Sequence, residues 1–78
     1  MKYTLTPEHK EWLQELINLM KPGIRKTSAQ KWLDNAREVT LAHLDLFADF
    51  FFDNPGHLYQ CEMFIQWVKG GVRPPKPH

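Results

Sequence analysis

Three aspartates, Asp45, Asp49 and Asp53, recur at four-residue steps, a spacing that sets side chains in one row on a helix. Carboxylates in such a row repel one another, at a cost of some tenths (~0.2–0.5) of a kcal/mol per pair. They also stand toward the C-terminal end of the helix that would carry them, where the dipole disfavours negative charge. A segment shaped for helix stability alone would place lysines there. The row therefore reads in two ways: a solvated face that tolerates a small penalty, or an acidic strip for a cationic partner. Such a partner would be a basic protein groove or the nucleic-acid channel of an enzyme. Glu38 and Glu62 belong to the same acidic stretch. A divalent metal fits poorly, because carboxylates on one straight helix cannot surround an ion without ligands from elsewhere.

The opposite charge gathers at Lys21, Arg25, Lys26 and Lys31. With the free amides of a helix start beside them, these cations could hold a phosphate or carboxylate. The plainer reading is that they follow the negative end of the preceding helix, where cations are mildly stabilising. The stretch has none of the glycine spacing of a phosphate cradle. His57 and Cys61 stand four residues apart and could be two soft-metal ligands. A site needs two more, however, and His9, His43 and His78 follow no zinc spacing. Between Leu58 and Ile65, Cys61 reads as a small buried hydrophobe. One buried cysteine, one serine near a helix start and no nucleophile elbow leave no support for covalent catalysis. No catalytic, metal or cofactor residue is assigned, and the expected class is non-enzymatic.

The elements that must carry these residues follow from punctuation and period. Thr6-Pro7-Glu8 is a helix start: capping hydroxyl, proline at the first position, acid in the first turn. Trp12, Leu13, Leu16, Ile17 and Met20 then form a clean apolar stripe that ends at Lys21-Pro22-Gly23. Thr27 or Ser28 is the expected cap of a second helix, and no proline or glycine interrupts the chain before Asp53-Asn54-Pro55-Gly56. Twenty-six residues of helix would span about 39 Å. Asn54 and Pro55 open a third helix that Gly70-Gly71 closes. The sequence thus predicts an all-α, three-helix arrangement at about 7–21, 28–53 and 55–69, with a long central helix. Residues 1–71 are one helical domain, and 72–78 a proline-rich basic tail, extended and polyproline-like. Met1 to Leu5 is short and extended, with Tyr3 and Leu5 packing down. A helix-turn-helix alternative breaks the central segment near Asp34–Asn35 and makes Arg37 to Leu46 the recognition helix. That helix offers Arg37, Glu38, Thr40, His43 and Asp45, a poor set for a polyanion.

Seventy-eight residues lie near the lower limit for a chain to bury a self-sufficient core. A single cysteine permits no intrachain disulfide and fits a reducing compartment. With no membrane-length apolar run and no signal-peptide profile, a soluble cytoplasmic protein is expected. Charge is segregated. Met1 to Arg37 holds seven Lys/Arg against four Asp/Glu, Glu38 to Val68 holds five acids and no Lys or Arg, and Lys69, Arg73 and Lys76 follow. Such asymmetry bears on partners and leaves fold open.

Apolar residues outnumber the seam that three helices share. Trp32, Phe50, Phe52, Tyr59, Met63 and Trp67 are the candidates left outside it. Exposed apolar patches of that kind mark interfaces, and aromatics are their preferred anchors. The expectation is a small regulator or inhibitor, of the kind found among phage and mobile-element proteins. It would dock on a larger, nucleic-acid-handling protein through an acidic helical face and aromatic anchors, and homodimerise through the second or third helix. The alternatives are a nucleic-acid-binding domain using residues 21–31 and a structural homodimerisation module.

Overall fold

A computed structural model describes residues 1–78 and is mostly helical, with four helices in place of three. The order is β1 (Tyr3–Thr4), α1 (Pro7–Asn18), α2 (Ile24–Asn35), β2 (Glu38–Val39), α3 (Leu41–Ala48), a 3-10 turn (Asp49–Phe51) and α4 (Pro55–Val68). The expected central helix does not exist as one rod. Its 39 Å would exceed the longest dimension of the molecule, 31 Å, and the chain leaves the helical region at Ala36, where ψ is 126°.

The break has a specific cause. The amide of Leu5 donates to the carbonyl of Arg37 at 2.9 Å, and β1 pairs antiparallel with β2, Tyr3 opposite Val39 and Thr4 opposite Glu38. Backbone groups that would have continued the helix are satisfied by the N-terminal segment instead. Thr40 then starts α3 afresh. Its hydroxyl accepts from the amide of His43 (3.2 Å) and its own amide donates to His43 Nδ1 (3.3 Å). That is a capping box with histidine in the place usually held by Glu or Gln.

The same device opens α1, and a side-chain cap without the reciprocal bond opens α4. Thr6 and His9 exchange the equivalent pair of bonds at the start of α1. At α4, Asn54 Oδ1 accepts from the amide of His57, and their side chains also meet. The second helix departs from expectation at its start. Gly23, at φ +154°, is the residue before it, and Thr27 lies inside the helix with its hydroxyl on the Gly23 carbonyl. Thr27 and Ser28 therefore cap nothing.

The core is two aromatic clusters joined by aliphatics. Trp12 stacks on Phe64 at 5.2 Å between α1 and α4, while Phe47 gathers Trp32, Phe50 and Phe51 within 5.8 Å. Leu13, Leu16, Ile17, Ala29, Leu33 and Leu44 fill the space between and are buried. A reciprocal amide pair, Gln14 with Gln30 at 2.7 and 2.8 Å, fixes α1 against α2 at the edge of this core. No buried side-chain nitrogen or oxygen lacks a hydrogen-bond partner. No helix is long and apolar enough to cross a membrane.

Candidate functional site

The acidic residues are dispersed by the break in the central segment. Glu38 lies on β2 and Glu62 on α4, both exposed. Asp45 and Asp49 remain one turn apart on α3 and its C-cap. Asp53 has turned away, its Oδ1 2.7 Å from a guanidinium nitrogen of Arg25. The Arg25 hydrogen bond holds the Asp53 carboxyl below the usual carboxylate range, and charge attraction from Arg25 and Lys21 acts in the same direction. The fold thus joins one member of the acidic row to one member of the basic loop, across 28 residues. Arg25 also lies over the Phe52 ring, 4.6 Å from its centroid. Lys21 shares a small cavity of about 250 Å³ with Arg25, Asp53 and His57. Lys31 borders a shallow depression beside Glu38, and Lys26 is half-buried on α2.

Of the six apolar candidates, three are largely used by the fold itself. Trp32, Phe50 and Trp67 are half-buried and packed on the core. Phe52 and Tyr59 stay 67% and 62% exposed, and Met63, half-buried, lines a groove described below. Sequence reasoning passed over Leu46, which is 57% exposed. Its signal was available: α3 turns Leu44, Phe47, Ala48 and Phe51 inward, so Leu46 has to face out.

The outer side of α3 is therefore a continuous stripe. Backbone angles remain right-handed helical from Asp49 (φ −61°, ψ −22°) to Phe52 (φ −59°, ψ −26°). Three- and four-residue steps consequently keep Leu41, Asp45, Asp49 and Phe52 adjacent, with Leu46 beside them. Every one of these five is exposed. Neither Asp45 nor Asp49 makes a salt bridge, and the nearest ion pair is spent on Asp53. The stripe offers two carboxylates between three large apolar side chains, an arrangement that can accept cationic donors while burying aliphatic or aromatic surface.

A second feature lies across α1 and α4, where residues 72–78 fold back with no helix or strand of their own. Gly70, at φ +104°, and Gly71 close α4: the Gly71 amide donates to the Gln66 carbonyl and the Gly70 amide to Trp67. That is the glycine-ended Schellman arrangement, and a Cβ on Gly71 would come 2.7 Å from the Gln66 oxygen. Pro74 is then buried, and the Trp12 indole N–H donates to the Pro75 carbonyl at 2.9 Å. Gln60 holds the backbone of His78 from both sides: its Nε2 donates to the His78 carbonyl (3.0 Å), and the His78 amide donates to Gln60 Oε1 (3.1 Å). Arg73 lies 5.6 Å from the Trp67 ring centroid and 3.8 Å from Glu8.

His57 Nδ1 meets the side-chain nitrogen Nδ2 of Asn54. Cys61 is buried and its thiol is pushed up to about 12, chiefly by desolvation. A thiol so placed is a poor nucleophile at neutral pH. No group of three or more His, Cys, Asp or Glu side chains converges closely enough to hold a metal ion. Compared with family models, curated proteins and solved structures, the chain matches none.

Proposed function

We propose that this chain is a non-enzymatic protein-binding module, a small regulator or inhibitor. In this reading its docking face is the outer stripe of α3, Leu41, Asp45, Leu46, Asp49 and Phe52. One observation carries the reading: two unpaired carboxylates lie among large apolar side chains that the fold leaves in solvent. Exposed Leu and Phe cost solubility without adding to the core, and Asp45 next to Asp49 weakens the helix it sits on. Both costs fall on the same short stripe, and a partner with a basic-rimmed apolar groove would recover both at once. The helix-in-groove mode suits such a stripe, with anchors at three- and four-residue steps.

Arg25, spent on Asp53 and Phe52, is a poor phosphate donor, which weakens the nucleic-acid alternative. The test is capture from cells that produce the protein, with wild type beside two double variants, Asp45→Asn/Asp49→Asn and Leu46→Ala/Phe52→Ala. A protein retained by wild type and lost from both variants, with retention falling as salt rises, supports the proposal. Equal retention by all three would contradict it, as would steep salt-dependent retention of DNA or RNA.

A further inference from the structure

We propose that the groove formed by Trp12, Tyr59, Gln60 and Met63 is a receptor for a proline-rich basic segment of a partner protein, and that residues 72–78 are its tethered, resident competitor. The occupant's chemistry is defined by what already sits there. Prolines hold the segment extended and leave its carbonyls free of internal hydrogen bonds. The groove then reads that backbone with an indole N–H on the Pro75 carbonyl and a two-way amide contact to His78. Aromatic-lined grooves are how proline-rich segments are recognised generally. Glu8 and the Trp67 face, both set toward Arg73, add preference for a cation.

The occupant in trans is a foreign segment and not a second copy's tail. A tethered tail acts at roughly millimolar effective concentration, so an identical segment from another copy cannot displace it at lower concentrations. A foreign segment can, if it makes contacts that the tail omits. Room for these exists: a cavity of about 360 Å³ stays open between the tail and α4, lined by Trp12, Tyr59, Gln60 and Met63. The surface is separate from the α3 stripe, so the two proposals stand or fall independently.

The test uses the full-length chain and a synthetic peptide with the sequence of residues 72–78, beside an analogue with serine for each proline. Binding is followed by the Trp12 indole N–H resonance. In the variant Pro74→Ser/Pro75→Ser the tail should vacate the groove. The proline peptide should then bind at least ~10-fold more tightly than it binds wild type, given millimolar competition in the latter. It should also return the Trp12 signal to its wild-type position, while the serine analogue does neither. Absence of peptide binding to a variant that keeps its helical circular dichroism overturns the proposal, as does equal binding of both peptides. So does a wild-type dimer that the tail substitutions dissolve, since the groove's partner would then be a second copy. Should the variant unfold, the wild-type chain is titrated to millimolar with a spin-labelled peptide. Selective broadening of the Trp12 and Gln60 side-chain signals supports the proposal, and unselective or absent broadening overturns it.

Discussion

The indole of Trp12 and the carbonyl of Pro75 are 2.9 Å apart and 63 residues apart in the chain. One donor on α1 thus ties the last segment to the first helix. Trp12 is otherwise buried and stacked on Phe64, so its ring belongs to the core and its N–H to the tail. Trp12→Phe keeps most of the apolar ring and removes the donor. It should cost about 2–3 kcal/mol, ~1 for the hydrogen bond and the rest for a smaller ring at a buried site, by urea unfolding. It should also raise hydrogen exchange at the His78 amide. A loss of that size with unchanged exchange at the His78 amide would mean that ring shape, and not the donor, is what the site uses.

Adjacent phenylalanines separate core from surface. Phe51 is buried and Phe52 exposed, although both stand in one Phe-Phe-Phe run. Phe51→Ala should cost roughly 3–5 kcal/mol. The whole domain has only about 4–12 at ~0.05–0.15 per residue, so that variant should lose a large share of its stability, read as a fall in the urea midpoint by circular dichroism. Phe52→Ala should stay within about 0.5 kcal/mol of wild type.

Acid weakens α1 through His9. Burial lowers its pKa below the ordinary 6.5, partly offset by Glu8. Its Nδ1 accepts from the Thr6 amide and so must be unprotonated. Because the unfolded chain takes up the proton first, the stability tied to neutral His9 is complete above pH 6.5. It is lost as pH falls from 6.5 toward the folded value. His9→Gln keeps an acceptor at that position and does not titrate. In urea unfolding between pH 7.5 and 5, wild type should lose stability relative to His9→Gln. Parallel curves would show that the histidine box is not the sensor.

The Arg25–Asp53 contact is exposed and should be sensitive to salt. By carbon-detected titration, the Asp53 carboxyl should rise toward its ordinary 3.8 in Arg25→Gln and also in about 1 M salt, where screening is nearly complete. An Asp53 value unmoved by either change would remove the pair as the cause of the shift.

Two of the four helix starts were legible, those where a capping residue stands directly before a proline. Thr6-Pro7 and Asn54-Pro55 begin α1 and α4 where their residue types say they should, and the inward stripe Trp12, Leu13, Leu16, Ile17 is buried as its period implies. The helix-turn-helix alternative puts a break near Asp34–Asn35, where α2 does end, but no glycine or proline marks it, so the favoured reading runs the helix through. The cause of the break is β1, more than thirty residues upstream, and Thr40-x-x-His43 does not resemble a capping box unless histidine is admitted as the acceptor. With the central helix assumed whole, the apolar residues around Phe47 looked too many for one seam. Once α2 and α3 separate, Trp32 and Phe50 pack on Phe47, and the apolar residues left exposed on α3, the turn after it and α4 are Leu41, Leu46, Phe52 and Tyr59. The same assumption kept Asp53 in line with Asp45 and Asp49, and no pattern of spacing could have sent it to Arg25.

The central claim, that α3 presents a docking face, is tested most directly by site-specific photo-crosslinking in the producing cells. A benzophenone amino acid is placed in turn at Leu46, at Phe52 and, as a control, at exposed Asn18 on α1. One discrete adduct, of the same protein partner at Leu46 and Phe52 and absent at Asn18, is expected, and it should vanish with Asp45→Asn/Asp49→Asn. No adduct at either α3 position, or the same adducts at Asn18, would contradict the assignment.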